Sequence, residues 1–419
     1  MRRKRVYLRI HRSHTVTLLL SSCACFLAAT VIVFPEAAFE ASLQGLAIWW
    51  EVLLPAQLPF FVLSELLLGL GVVHFLGVLF EPLMRPLFRV PGSGSFVLAV
   101  GLTSGNPMGA KLTSRLREQG LISRTEGERL VSFSSTAGPL FMFGTVAVGF
   151  FHNAAVGIIL AAIHYASNFM VGILMRFHEP HSPSSPSIES GQGFLLTRAL
   201  RAMHRARLRD GRALGQLLSD AVISSIQTCL MIGGFLVFFS VTLRVLSIVH
   251  VTEPLAAGLG RLLAHIGWPA SLGEGVVHGL LEITLGAKTI AEAGGHPSLI
   301  FQLAVLNAVI AWSGLSIHAQ VASLLSQTDI RYLPYMMARI LHAALSFVLT
   351  LLLWDILEQH VLGWLSMPVF FPITHASPWV QWWMFWAATT GILLTLLLFL
   401  GGCAWAIHRV RGYRPYTSP

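Results

Sequence analysis

Gly101-Leu102-Thr103-Ser104-Gly105-Asn106-Pro107-Met108-Gly109-Ala110-Lys111 decides how the chain is read. The apolar arm leading into it, Phe96–Leu102, is far shorter than the about 20 apolar residues a helix needs to cross a bilayer. It runs into a polar break of Ser, Gly, Asn and Pro, and a second arm leaves that break. This is the pattern of a re-entrant hairpin, since irregular backbone at membrane depth is tolerated only inside protein or against a cavity. The pattern recurs in Gly273–Gly294, where Val276-Val277-His278-Gly279-Leu280-Leu281 leads into Glu282-Ile283-Thr284-Leu285-Gly286-Ala287-Lys288. Gly101-Leu102 followed by Gly109-Ala110-Lys111 parallels Gly279-Leu280 followed by Gly286-Ala287-Lys288, the spacing differing by one residue. Upstream, Glu81-Pro82-Leu83 parallels Glu253-Pro254-Leu255. Downstream, each hairpin is followed by an apolar run with a Gly break, Ser134-Ser135-Thr136-Ala137-Gly138-Pro139 and Trp312-Ser313-Gly314-Leu315-Ser316.

Outward from the hairpins, the chain is apolar. Of its 419 residues, 54% are hydrophobic and 11% charged, against about 25% charged in soluble domains. Eight spans are expected: Thr15–Phe34, Leu53–Val78, Leu130–Phe150, Ala154–Met175, Ala221–Ile248, Leu299–Leu325, Tyr332–Trp354 and Trp382–Ile407. The first reads as a retained anchor rather than a cleaved signal. Basic residues gather at the start (Arg2, Arg3, Lys4, Arg5), around Arg85 and Arg89, in Arg176–Arg212 and at the end (Arg409, Arg411, Arg414). That is the positive-inside pattern, so both termini are expected in the cytoplasm of a multi-pass cell-membrane protein. The net charge of +9 is thereby accounted for without nucleic acid. Trp379, Trp382, Trp383 and Trp386 read as an interfacial belt.

The fold class expected is an all-α polytopic membrane protein of about eight transmembrane helices plus two re-entrant hairpins, in two inverted-topology repeats. The first hairpin enters from the cytoplasm and the second from outside. Residues 1–40 hold the basic segment and first helix, 41–175 the first repeat, 176–212 a solvated basic linker, 213–355 the second repeat and 356–419 the last helix and tail.

Paired broken segments point to a solute site near the midplane, because a broken helix leaves backbone N–H and C=O groups free. Glu282, beside Thr284, reads as a ligand or coupling-ion residue, Na⁺ or H⁺, or else as a carboxylate that caps its own hairpin or pairs with Lys288. Ser104, Gly105, Asn106 and Pro107 form the matching break, or a tight turn. In the broken spans Ser135, and then Ser313, Gly314, Ser316, His318 and Gln320, offer polar groups, with helix packing as the competing role for the small ones. Glu51 and Glu65 flank the second span as lesser candidates.

No enzyme signature is present: HExxH and GxSxG are absent, as is GxxxxGK[ST] for an ATP-driven motor. His278 and Glu282 alone make no metal site, and His178-Glu179-Pro180-His181 reads as a solvated loop. Cys23, Cys25, Cys229 and Cys403 lie in apolar runs and read as small buried residues. No cofactor is expected beyond a coupling ion.

SGNPMGAK, the charged helix after it and FSSTAGPLFMFGTV, together with GLLEITLGAK and AWSGLSIHAQ, resemble the YlbJ family of sporulation integral membrane proteins. The resemblance covers roughly Leu43 to Leu353. That family carries the nucleoside-recognition gate domain in two copies, and the domain is similar to the core of concentrative nucleoside transporters. The resemblance implies a role in spore cortex formation and a nucleoside-like or other small polar solute. It places Ser104, Gly105, Asn106 and Pro107 in the first hairpin, Glu282 and Thr284 in the second, and Ser313, Gly314 and Ser316 in the broken span. It implies as partners the lipid bilayer, the solute, and a second copy of the chain or another sporulation protein. The alternative reading is a scaffold that recruits cortex-building machinery without transport.

Overall fold

A computed structural model describes residues 2–186, 194–295 and 297–359; the expected last span and its tryptophans lie outside them. Among the described residues all regular structure is helical, with no strand. Four helical stretches are long and apolar enough to cross a bilayer, Ala154–Met175, Leu214–Ile248, Leu299–Leu325 and Tyr332–Leu357. Two bent pairs, Thr17–Val33 with Pro35–Glu51 and Gln57–Gly69 with Val72–Phe88, raise the number to six if each is one span. The protein is a polytopic all-α membrane protein.

Two expected spans are less simple than their hydropathy. Leu53–Val78 is broken at Gly71, which takes φ 82° and starts a new helix, Val72–Phe88. Leu130–Phe150 is three pieces: the end of Arg124–Ser134, a non-helical stretch through Ala137 and Gly138, and Leu140–Phe150, wound with wide i→i+5 turns. Ser123 opens Arg124–Ser134 with a capping box, its Oγ accepting from the Glu126 N–H while Glu126 accepts from the Ser123 N–H. Asn153 caps Ala154–Met175 through the Ala155 N–H.

The described chain divides into two compact units. One holds the residues up to Leu66 with Ala213–Leu324 and Arg339–Leu351; the other holds Leu67–Arg212, Leu325–Ala338 and the described residues from Leu352. In the first unit, Pro35–Ile48 packs along Leu214–Ile248. Trp49 donates Nε1–H to the Cys229 carbonyl at 2.8 Å and lies over Gly233, where a Cβ would stand 2.6 Å from the indole. Cys229 is buried as expected, whereas Cys23 and Cys25 are exposed.

The second unit corrects the reading of residues 176–212. Their last part is the helix Leu195–Asp210, packed on Val72–Phe88 through Ala199, Ala202 and Val78. His178 and Glu179 are docked rather than solvated. Arg331 grips the Glu128 carboxylate with Nε at 2.6 Å and Nη2 at 2.7 Å, and also bonds Glu179. His178 Nε2 reaches Glu128 at 2.7 Å. Arg129 donates to the carbonyls of Arg89, His178 and Glu179 at 2.8–2.9 Å, and Glu126 accepts from the Ser185 N–H and hydroxyl. Burial alone would push the Glu128 carboxyl up, but the bonds from Arg331 and His178 outweigh it and hold it below the ordinary value. The ligand-type atoms of Glu128, His178 and Glu179 lie within 4.8 Å of one another, yet the Arg331 guanidinium bonds both carboxylates.

The upstream parallel does not hold in space. Glu81 sits well inside Val72–Phe88, pairs with Arg85 and accepts from the Gly92 N–H. Glu253 lies exposed in the first turn of Thr252–His265, 2.7 Å from His250 Nδ1.

Candidate functional site

Each repeat presents the same succession: a helical hairpin, a broken helix and a long helix. In the first, Gly94–Ser104 and Met108–Glu118 are the hairpin arms, joined through Gly105 (φ 80°), Asn106 and Pro107. Both arms rest on the backbone of the next helix. A Cβ on Gly101 or Gly109 would stand 2.1 or 2.2 Å from the Ser134 carbonyl oxygen. The hairpin tip meets the helix break: a Cβ on Gly105 would be 2.8 Å from the Gly138 nitrogen. Ser135, in the break, donates its hydroxyl to Asn106 Oδ1 at 3.0 Å. Ser104, Gly105, Asn106, Pro107 and Ser135 are therefore gathered at one junction. Among the described residues, the buried hydroxyl oxygens of Ser104 and Ser134 have no hydrogen-bond partner.

Residues not singled out in the sequence complete this junction. Asn168 Nδ2 donates to the freed Phe133 carbonyl at 2.6 Å, and Thr136 Oγ1 lies 2.6 Å from His164 Nε2. The Tyr165 hydroxyl is 3.3 Å from the Leu102 carbonyl and 3.4 Å from that of Ala137. With one proton to give, it bonds one of them at a time. The signal was His164-Tyr165-Ala166-Ser167-Asn168, a polar run inside an apolar span.

In the second repeat the arms Leu272–Leu281 and Ile283–Ala291 cross at glycines, and a Cβ on Gly286 would be 2.3 Å from Gly279 Cα. His278 Nδ1 and Thr289 Oγ1, 2.9 Å apart, tie the arms together. Glu282 is the break itself. Its backbone is extended, and it caps the second arm: Oε2 accepts from the Leu285 N–H at 2.8 Å and Oε1 from the Thr284 hydroxyl at 3.1 Å. It is 3% exposed, whereas Lys288 is exposed and forms no ion pair with it. Lys111, the counterpart of Lys288, is buried.

The next helix breaks at Ser313 (φ 78°) and Gly314 (φ 69°), and a Cβ on Gly314 would stand 3.2 Å from the Leu281 carbonyl and the Ile283 nitrogen. Here too the hairpin break meets the helix break. Trp312 Nε1–H donates to the Leu280 carbonyl at 3.2 Å, and His318 Nε2–H to the Trp312 carbonyl at 2.9 Å. His318 thus supports the break directly. Ser316 and Gln320 are buried nearby in sequence. Glu65 accepts from Ser224 at 3.1 Å and Glu51 is exposed; neither belongs to either junction. Sequence reading missed Arg339, fully buried with Nη1 3.1 Å from His342 Nδ1; a lone arginine inside an apolar run was the signal.

A family model described as the gate domain, nucleoside recognition, matches residues 50–214. The sporulation integral membrane protein YlbJ of Bacillus subtilis (strain 168) is 49% identical over 342 residues, 81% of this chain and 83% of that one. The chain belongs to the YlbJ family of sporulation integral membrane proteins. This member of the YlbJ family is also similar in structure to CNTnw. The outward-facing form of a CNTnw variant matches with a TM-score of 0.36 at 13% identity, over 82% of this chain and 85% of that one. The inward-facing, substrate-bound form matches with a TM-score of 0.37 at 14% identity, over 83% and 88%.

Proposed function

We propose that the protein is a secondary permease for a nucleoside-like or other small polar solute, acting in sporulation and serving spore cortex formation. The observation that carries this reading is the meeting of a hairpin tip with a helix break in each repeat, Gly105 on Gly138 and Leu281–Ile283 on Gly314. Paired broken segments at corresponding places in two halves are the best pointer to a transporter's binding site. On this reading the repeats are inverted. Ser104, Asn106 and Ser135, with the Gly105 and Pro107 backbone, offer solute- or ion-binding groups at the first junction. Glu282, Thr284, Ser313, Gly314, Ser316, His318 and Gln320 offer them at the second. The unpartnered hydroxyls of Ser104 and Ser134 support it. Glu282 supports it as a buried carboxylate set in the hairpin break beside Thr284. The relative's name supports sporulation, and the gate-domain description supports a nucleoside.

Uptake of labelled nucleosides into proteoliposomes, with and without Na⁺ and H⁺ gradients, tests it. Uptake is expected to need one gradient and to fall about 10- to 100-fold in Glu282→Gln, the loss of one charged hydrogen bond. No uptake of any solute, with sporulation supported normally by Glu282→Gln, would contradict it and favour the scaffold.

A further inference from the structure

The helix Leu195–Asp210 carries five arginines and one acidic residue. The acid, Asp210, is held by Arg212 at 2.7 Å with Arg207 at 3.6 Å. Ala199 and Ala202 are its packed face, against Val78 and Phe75. Leu195, Met203 and Ala206 are half-buried beside them, and the opposite side of the helix is exposed, in two adjoining stripes. At about 100° per residue, Leu196, Leu200 and Leu208 cover an arc of about 120°, interrupted by Thr197, His204 and the half-buried Arg207, and Arg201, Arg205 and Arg209 take about 80° beyond it. The leucines are 45%, 47% and 66% exposed, and Phe194, just before the helix, is 75% exposed. Gly211, at φ 67°, ends the helix, and the chain passes almost at once into Leu214–Ile248, which is long and apolar enough to cross a bilayer.

We propose that this helix lies in the plane of the membrane surface and binds the anionic phospholipid headgroups of the leaflet it faces, with its leucine stripe among the upper acyl chains. A leucine stripe beside an arginine stripe, on a helix joined by a short connection to a span, fits an interface whose apolar and anionic layers are stacked in that order. Water alone would leave the leucines exposed, and a purely electrostatic partner would leave them unused. The packing of Ala199 and Ala202 fixes the helix so that both stripes face outward together.

The test uses the full chain in vesicles. Cys23, Cys25, Cys229 and Cys403 are replaced, and an environment-sensitive fluorophore is placed on Leu200→Cys. Vesicles are phosphatidylcholine alone or phosphatidylcholine with phosphatidylglycerol. With phosphatidylglycerol the label is expected to be shielded from iodide and quenched by lipids spin-labelled near the headgroup. Arg201→Gln, Arg205→Gln and Arg209→Gln together should weaken that docking on the order of 100-fold. The corresponding Lys substitutions should keep it, which separates charge from packing. Equal iodide access in both vesicle types would overturn the proposal, as would shielding indifferent to the arginines. Shielding that grows with the protein-to-lipid ratio would overturn it too, by assigning the face to a second copy of the chain.

Discussion

Gly286→Ala is expected to prevent the second hairpin from closing, and Gly109→Ala to do the same to the first. The added methyl at Gly286 would lie 2.3 Å from Gly279 Cα and 2.5 Å from its nitrogen. At Gly109 it would lie 2.2 Å from the Ser134 oxygen and 2.4 Å from its carbonyl carbon. In both cases the obstruction is backbone, which no rotamer change relieves. Overpacking costs about 1–3 kcal/mol where side chains can move, so about 3 kcal/mol or more is expected here. The thermal midpoint of the purified protein checks this, with Gly294→Ala as the control, since nothing lies within 4 Å of that position. Midpoints unchanged in the first two variants would mean that the arms do not cross at these glycines.

Arg331→Ala is the second large effect. Glu128 is fully buried, and Arg331 supplies its bidentate partner. Without it the carboxylate keeps His178 and, at 3.7 Å, Arg124. Breaking a buried pair costs about 3–5 kcal/mol. Arg331 is 46% exposed, so solvent screening brings the expected loss to about 2–3 kcal/mol. The pH dependence follows from the direction of the Glu128 shift. Its folded pKa lies below the ordinary 4.5, so the stabilisation is complete at neutral pH, begins to fade near 4.5 and is lost as pH falls through the lower folded value. Thermal midpoints measured from neutral pH downward should show this decline in the wild type and a flatter one in Arg331→Ala. Parallel curves would contradict the assignment.

The hairpins and helix breaks were legible because Gly, Asn, Pro and Ser interrupt apolar runs there, and a polar interruption inside a membrane helix has few causes. Gly71 was not legible, since Gly69-Leu70-Gly71 is no more polar than its surroundings and only the positive φ reveals the break. Leu195–Asp210 was hidden by its arginines: the alanines that anchor it are too small to mark an apolar stripe. The docking of His178 and Glu179 depends on Arg129, Glu128 and Arg331, which are remote in sequence, so no local pattern announces it. The Glu81 and Glu253 parallel failed for the opposite reason. A three-residue identity was read as equivalence, and the helices place it in different turns. At the junctions the sequence pointed to the right residue types on the breaks. It missed those that reach in from the helix Ala154–Met175, because the partners of Tyr165 and Asn168 are backbone carbonyls and that of His164 is the remote Thr136 hydroxyl.

Glu282 shows why the junctions need a direct test. As the N-cap of Ile283–Ala291 it has a structural part to play, and replacing an N-cap costs about 0.5–2 kcal/mol. Loss of stability alone would not reveal a ligand. The decisive measurement is ligand-dependent thermal stabilisation of the purified wild type and Glu282→Gln, across nucleosides, nucleobases, amino acids and cell-wall precursors, each with and without Na⁺. A ligand at 100 times its Kd adds about 2.7 kcal/mol to the folded state. The account predicts that a nucleoside or similar polar solute raises the wild-type midpoint, and that Glu282→Gln, folded but slightly less stable, shows no such rise. No ligand raising the midpoint of a folded, monodisperse sample, or a rise of equal size in Glu282→Gln, would contradict it.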